Sequence, residues 1–341
     1  MERTVSLLGH PAVIVDRDES HYLRTLPSHF EADTLAVFSA FCAPHFNALD
    51  VGANIGLTAI ALGRLCAQGH VFAIEASPDT FPYLYQNVAR SGLKNVRCEN
   101  LAAAATAGEV ELSHPEVFSA GAFVSDKYQF AKQALLQHRV RALPMDDYLD
   151  GRGVERIDFI KIDVEGFELE VLRGLRRTIE RCKPVVFCEV NHWCLNVLHR
   201  ICLPDFVEEV RSILPHVFAI NTDAEVLDLS NPHALHKFYH DHTTQQAFPN
   251  LLCGFDHDAL QARLAWLPRF YRLERSDVEM EAERVQMRAQ FEQEAAALRC
   301  EAETLRAERD AIVNSRSWRF AAPLRKLRAW SRGAAPNGQV H

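Results

Sequence analysis

From residue 45 to about 255 the chain repeats one pattern, in which a short apolar run ends on an acidic or amide residue and a stretch with helical spacing follows. Residues 46–51 are such a run, closed by Gly52, after which Ile55, Ala59, Leu62 and Cys66 recur at the spacing of one helix face. Gly69 ends that helix. Residues 71–74 form a second run that stops at Glu75, and Ser77-Pro78 opens a helix carrying Phe81, Leu84, Tyr85 and Val88. Residues 95–101, 157–163 and 185–190 give three more runs, with helices expected around Leu169 to Leu175 and over 205–214. Residues 216–220 and 251–255 are expected as the last strands, and 110–112 with 139–143 as a β-excursion. Strands that alternate with helices in this way are buried on both faces when they form a parallel sheet with helices on either side. The expected fold is therefore α/β, with a doubly wound, mostly parallel, Rossmann-like sheet.

Outside that region the texture changes. Residues 1–44 mix short apolar runs with His21, Pro27, His29 and Pro44 and are expected as an N-terminal extension or lid. Residues 45–258 make the α/β domain, 259–275 a linker, 276–313 a coiled-coil helix and 314–341 a basic amphipathic tail. The coiled coil rests on Phe291, Leu298, Leu305 and Ile312, which recur every seven residues among Glu, Arg and Gln. A homodimer is the simplest product of such a seam. From 315 to 332 there are six basic and no acidic residues, interleaved with Trp318, Phe320, Leu324, Leu327 and Trp330. That pattern suits an anionic membrane surface or an assembly partner.

Composition narrows the partners. With 45 acidic against 37 basic residues the net charge is −8, a poor balance for holding nucleic acid. No apolar run approaches the roughly 20 residues of a membrane-spanning helix. Residues 1–15 carry Glu2, Arg3, His10 and Pro11 where a secretion signal needs an unbroken apolar stretch. The nine cysteines are scattered without a C-x-x-C pair, so neither a disulfide framework nor a zinc knuckle is expected. A reducing, cytoplasmic setting follows, at the periphery of the inner membrane if the tail engages it.

In an open parallel sheet, ligands sit at the carboxyl ends of the strands, where strand order reverses. Asp50, Glu75, Asn100, Asp163 with Glu165, and Glu189 fall at five successive strand ends. Such an edge suits a cation. The turn Asp50-Val51-Gly52-Ala53-Asn54-Ile55-Gly56 lets a ligand approach the backbone, because Gly52 and Gly56 lack Cβ. Its Gly-x-x-x-Gly spacing differs from the Gly-x-Gly-x-x-Gly of a nicotinamide site, and Asp50 disfavours a pyrophosphate. Glu75, 23 residues beyond Gly52, is placed to accept both hydroxyls of a ribose. A ribose, a positive centre and no clustered phosphates together describe S-adenosylmethionine.

Three ordered motifs carry a resemblance. Asp50 through Thr58, then Glu75-Ala76-Ser77-Pro78 through Asn87-Val88, then Asp158 through Glu168 followed by Val171-Leu172-Arg173-Gly174, resemble the FkbM family of methyltransferases over roughly residues 45–190. The resemblance implies a class I S-adenosylmethionine-dependent fold and O-methylation of a sugar or other hydroxyl. Carried over, Asp50, Gly52, Asn54 and Gly56 would hold the methionine part, Glu75 the ribose, and Asn100 with Ala102 would lie near the adenine. Ala76 departs from the family's usual proline. In addition, Ser315-Arg316-Ser317-Trp318-Arg319 through Pro323-Leu324-Arg325 resembles a tail found on bacterial enzymes of surface-polysaccharide biosynthesis.

Methyl transfer from a sulfonium is an in-line displacement that asks mainly for positioning, and an unactivated hydroxyl also gains from a base. Asp163 and Glu165 end the fourth strand, and Glu189 and His192 follow the fifth; these four are the catalytic candidates. Asp163 reads as acceptor base or hydroxyl ligand, or else as a helix cap; Glu189 would orient a hydroxyl and His192 would take its proton. Asp146-Asp147 reads as the cap of a short helix, and Lys161 as a structural ion-pair partner. His233, His236, His240 and His242 crowd around Asp241, but no acidic third ligand can be named, so no metal is expected and a solvated loop or acceptor-site wall is the reading. The expected function is an O-methyltransferase acting on a glycan or related sugar-containing acceptor. The alternative is a non-catalytic assembly adaptor on the same fold, which has no reason to bind S-adenosylmethionine; methylation of nitrogen or carboxylate also stays open.

Overall fold

The computed structural model describes residues 1–17, 21–27, 30–115, 122–125 and 135–274. The expected coiled coil, with Phe291, Leu298, Leu305 and Ile312, and the basic tail lie outside the described residues.

The chain opens with β1 (Glu2–Leu7), β2 (His10–Val15), α1 (His21–Thr25) and α2 (Ala32–Phe41). The first βα units follow: β3 (Ala48–Val51), α3 (Leu57–Leu65), β4 (Val71–Glu75), α4 (Phe81–Ser91) and β5 (Val96–Asn100). A second sheet then interrupts them, built from β6 (Ala102–Ala103), β7 (Gly108–Pro115), β8 (Phe123–Val124) and β9 (Leu135–Leu143) in the order β6-β9-β7-β8. The main sheet resumes through α5 (Met145–Asp150), β10 (Phe159–Ile162), α6 (Glu168–Gly174), α7 (Arg176–Cys182) and β11 (Val185–Glu189). Next come α8 (His192–Cys194), a π turn at Leu195–His199, α9 (Leu203–Ile213), β12 (His216–Ile220) and β13 (Val226–Asp228). The described chain ends with α10 (Pro232–Gln245), β14 (Asn250–Gly254), α11 (His257–Leu264) and α12 (Leu267–Glu274).

Eight strands form the main sheet in the order β13-β12-β14-β11-β10-β3-β4-β5. The five from β5 to β11 are parallel, whereas β14, β12 and β13 join antiparallel. From β3 the chain steps outward through β4 to β5 and later returns to the other side of β3 as β10. Strand order therefore reverses between β3 and β10, which is where an open parallel sheet carries its ligand crevice.

Alternation along the strands sorts the core into two layers. Ala48, Ala73, Phe159, Phe187 and Leu252 pack with residues of α2, α3 and α4 on one face. Leu49, Ile74, Ile160, Val186 and Leu251 pack with residues of α6, α7, α9 and α10 on the other. Phe38 of α2 meets Phe159 edge-on at 5.5 Å and Phe187 at 6.0 Å, contacts worth about 0.5–1.5 kcal/mol each beyond area burial. This seats the start of α2 at the carboxyl ends of β10 and β11, where Glu31, just before the helix, reaches the crevice.

The N-terminal hairpin is stitched to α3 and α4 by side chains of those helices. Asn87 of α4 accepts from the Val15 amide at 2.8 Å and donates to the carbonyls of Val15 and Ile55, both at 2.8 Å. Arg64 donates to the carbonyls of Leu7, His10 and Pro11.

Two local expectations change. The histidine-rich segment is helix rather than loop: Asn231 Oδ1 accepts from the His233 amide at 2.9 Å and so caps α10. Asp146 caps a different helix from the one it begins, accepting from the amides of Arg177 (2.9 Å) and Thr178 (2.8 Å) at the start of α7.

Candidate active site

A cavity of about 230 Å³ opens at the carboxyl ends of β3, β4 and β10. Its polar lining includes Tyr22, Glu31, Asn54, Glu75, Asp163, Glu165 and Glu189; Ile74, Leu101, Ala102 and Ala103 supply apolar wall. Leu112 and Val124 of the second sheet, and Phe167, close it further.

The glycine turn brings the crevice walls together. Gly52 holds φ +81°, and a Cβ there would stand 1.8 Å from the carbonyl oxygen of Asp163. Only glycine lets the end of β3 pass so close to the end of β10. Asn54 also adopts positive φ, 47°, which turns its amide toward Glu75. Glu75 Oε2 accepts from the Asn54 amide and Oε1 from the Ser77 amide, both at 2.8 Å. Each oxygen of the carboxylate keeps a further lone pair free to accept, and Glu75 lines the cavity. Burial outweighs these hydrogen bonds and pushes the Glu75 carboxyl up to about 7.

The wall opposite carries an ion-paired carboxylate cluster. Lys161 is buried and donates to the Gly52 carbonyl at 2.8 Å, with Asp163 Oδ2 at 3.2 Å and Asp50 Oδ1 at 3.5 Å. Asp163 keeps 42% of its side chain exposed, on the cavity side. Burial acts to raise its pKa, but the Lys161 charge and a hydrogen bond from Glu189 outweigh that and hold Asp163 below the usual carboxylate range. Glu189 moves the opposite way, raised well above the usual carboxylate range by burial and then by the charge of Asp163. Of the two, Asp163 is therefore the carboxyl that ionises more readily.

Glu168 explains why its neighbours are available. It is fully buried, and its Oε1 accepts from the amides of Gly166 (3.0 Å) and Val164 (3.3 Å) ahead of α6. The turn is thus held without Asp163 as a cap. Glu165, at φ 54°, faces the cavity and accepts from the Cys194 thiol at 3.3 Å; burial, then the charge of Asp163, pushes it to about 7.

The expected site residues divide into two groups. Gly52, Asn54, Glu75, Ala102, Asp163, Glu165 and Glu189 line one cavity. Asp50, Gly56, Asn100 and His192 are not among its lining. Asp50 is fully buried beneath the turn and accepts from the Thr58 hydroxyl at 2.7 Å, which fixes the turn from below. Gly56 faces α4, where a Cβ would meet Leu84 at 3.0 Å. Asn100 donates to the carbonyls of Glu75 (2.8 Å) and Ala76 (3.2 Å), bracing the strand end that presents Glu75. The ring of His192 packs against His242 at 5.1 Å.

Tyr22, Glu31, Leu112 and Val124 join the lining from positions not marked as site residues by sequence, and Phe167 joins it from within the third motif. Glu31 is raised to about 7, first by burial and then by Asp163. No group of three or more His, Cys, Asp or Glu side chains arranged to hold a metal ion occurs among the described residues.

The lining fits S-adenosylmethionine. Glu75 offers acceptor sites for ribose hydroxyls, the alanine and leucine wall suits a flat base, and Asn54 Oδ1 is a buried acceptor with no partner in the protein. Ionised Asp163 complements a positive centre.

Residues 50–219 match the family described as the methyltransferase FkbM domain. Methyltransferase sdnD of Sordaria araneosa is 30% identical over 156 residues, covering 37% of this chain and 59% of that protein. Hexuronic acid methyltransferase AglP of Haloferax volcanii is 26% identical over 138 residues, covering 40% and 53%. The chain spans between 53% and 64% of the length of the curated relatives it matches. Among solved structures it is similar to the methyltransferase FkbM of Methylobacillus flagellatus KT, with TM-score 0.40 and 18% identity over 62% of this chain and 44% of that one. With its three motifs arrayed around a single crevice, the chain carries a methyltransferase FkbM domain over residues 50–219.

Proposed function

We propose that the chain is an S-adenosylmethionine-dependent O-methyltransferase acting on a hydroxyl of a glycan or related sugar-containing acceptor. The observation that carries this reading is Asp163, an ionised carboxylate on the same cavity as Glu75 and across the crevice from it. When bound, S-adenosylmethionine supplies an electrophilic methyl group on a sulfonium. The protein's part is then positional and protonic. Glu75 would hold the ribose, with its oxygens pre-aimed by the Asn54 and Ser77 amides. Asp163 would accept the hydrogen bond of the acceptor hydroxyl and take its proton as the new O–CH3 bond forms and the S–CH3 bond breaks. Lys161, held by Asp50 and the Gly52 carbonyl, fixes Asp163, and Glu189 adds the hydrogen bond that keeps the carboxylate oriented.

The sugar acceptor draws support from AglP, whose name gives a hexuronic acid as its substrate. The heptad seam at Phe291, Leu298, Leu305 and Ile312 supports pairing with a second copy, and the basic, aromatic segment 315–332 supports docking at an anionic surface where polysaccharide is assembled. No helix among the described residues is long and apolar enough to cross a membrane.

Calorimetry with S-adenosylmethionine, paired with two variants, tests the reading. Glu75→Ala should weaken binding by about 100-fold or more, the worth of two charge-assisted hydrogen bonds. Asp163→Asn should weaken binding far less than Glu75→Ala does and lose about 100-fold or more in turnover. A wild-type protein that leaves the cofactor unbound would instead favour an assembly adaptor.

A further inference from the structure

A second cavity of about 260 Å³ adjoins the first, and Glu31, Asp163 and Glu189 line both. The rest of its lining includes Asp33 and Thr34 from the start of α2, Thr222 after β12, and Asn250 at the start of β14. Phe187, Ile162 and Pro249 give it an apolar side. It therefore continues the carboxyl edge of the sheet past Asp163, on the side away from Glu75. Apart from Tyr22 and Glu31, the first cavity is lined from within residues 50–219. Glu31, Asp33, Thr34, Thr222, Pro249 and Asn250 all fall outside that family-matched span. The donor side is thus built by what the chain shares with its family, and the adjoining side by residues beyond it.

Charge decides what this chamber accepts. Its lining holds four acidic side chains and one basic one, Lys161, whose ammonium is already committed to Gly52, Asp163 and Asp50. No lining cation is left to pair with an acceptor carboxylate or phosphate, and such a group would meet Asp163 directly. A sugar ring presents hydroxyls along its edge and C–H groups on its face, matching Thr222, Asn250 and Glu31 on one hand and Phe187 and Pro249 on the other.

Resting on the methyltransferase reading above, we infer that this second cavity seats the acceptor, and that the acceptor is an uncharged polyhydroxylated ring, a neutral sugar rather than an acidic one. Glu31 and Asn250 bind its hydroxyls and set specificity, and Asp163, on the wall between the cavities, meets the hydroxyl to be methylated.

The test uses the full chain, S-adenosylmethionine labelled in its methyl group, and four probes: the methyl glycosides of glucose, rhamnose, N-acetylglucosamine and glucuronic acid. Wild type should methylate at least one neutral glycoside with a kcat/KM at least tenfold above that of the glucuronide. Thr222→Trp, which places a large ring in the chamber from a surface turn, should raise KM for that glycoside at least tenfold and leave cofactor affinity by calorimetry unchanged. Asn250→Leu should do the same to a smaller degree. Titrating the glycoside onto protein saturated with S-adenosylhomocysteine reads the loss as binding without turnover, and thermal melting confirms that both variants are folded. A preference for the glucuronide, an unmoved KM in both folded variants, or cofactor-bound protein that methylates none of the four would each overturn the inference while leaving the methyltransferase reading in place. Failure of the wild type to bind cofactor would sink that reading, and the inference with it.

Discussion

The two sides of the crevice are built on different principles. On the donor side, Gly52, Asn54 and Glu75 belong to two strand-end turns and are fixed by main-chain hydrogen bonds within 23 residues of one another. On the acceptor side, Glu31, Thr222 and Asn250 come from a helix start, a turn and an antiparallel strand, brought together only when α2 packs on β10 and β11 and β14 pairs with β11. The donor seat is a property of short sequence, the acceptor seat a property of the whole fold. A chain can therefore keep its donor chemistry while altering its acceptor through substitutions that leave every motif intact.

The sharpest way to break this contrast is Gly52→Ala. A left-handed φ costs alanine about 1–2 kcal/mol, and its Cβ would also overlap the Asp163 carbonyl. The ends of β3 and β10 must then separate, so cofactor affinity should fall more than about 100-fold, equivalent to about 2.7 kcal/mol, with a lower melting temperature. Wild-type affinity in a folded Gly52→Ala protein would show that the donor seat does not depend on this turn. Next in size is Lys161→Met, which leaves Asp50 buried without its counter-ion. Removing one partner of a buried pair costs about 3–5 kcal/mol, and the lower end applies because Asp163 is partly exposed. Denaturant unfolding measures that loss. In the same variant Asp163 should titrate higher, moving the acid limb of the rate profile upward; an unshifted limb would remove Lys161 from the role of holding Asp163 ionised.

The contrast also explains what was legible in the sequence. Short apolar runs and helical spacing revealed the parallel part of the sheet because each βα unit carries its own pattern over about 20 to 30 residues. The same logic marked Gly52, Glu75 and Asp163, which line the cavity, since strand ends are local features. It also marked Asp50, Gly56 and Asn100, but spacing does not say which way a side chain points: Asp50 braces the turn, Asn100 braces the strand end and Gly56 faces α4, all outside the cavity lining. Glu31 left no local trace, because a glutamate before a helix looks the same whether it faces solvent or a crevice. Nor did Leu112 and Val124, which reach the cavity only through the pairing of β7 with β8 and β9. The mixed strand order β11-β14-β12 was equally hidden, because a strand's apolar run does not record its direction.

A smaller effect tests the donor side by pH. Glu75 lies near 7 in the free protein, raised by burial, and its ionised form is the better acceptor for ribose hydroxyls and the better neighbour for a sulfonium. Binding should therefore release protons near pH 7, and affinity should fall as pH drops, by up to about tenfold per unit well below 7. The stability of the free protein runs the other way. Glu31, Glu75, Glu165 and Glu168 all hold their protons to about 7, higher than an unfolded chain would. Stability is therefore lost as pH rises from about 4.5 through 7. Calorimetry in buffers of different ionisation enthalpy reads the proton release, and the absence of any release would place Glu75 ionised before binding.

The smallest expected effect lies on neither side. His236 and His240 stand one helical turn apart on α10 and are exposed, and His240 pairs with the adjacent Asp241 at 2.9 Å. By contrast His242 is buried, with Nδ1 on the Ala247 carbonyl at 2.8 Å and its ring stacked on Phe238, so burial pulls its pKa down and it packs as a neutral side chain. Replacing His236 and His240 together with alanine should change stability by no more than about 0.5 kcal/mol and leave cofactor affinity and methyl transfer as they were. Chelation should be equally silent. If instead the double variant lost activity that added zinc or manganese changed in the wild type, α10 would have to be counted as a third wall of the site, and the division into a donor side and an acceptor side would no longer describe the molecule.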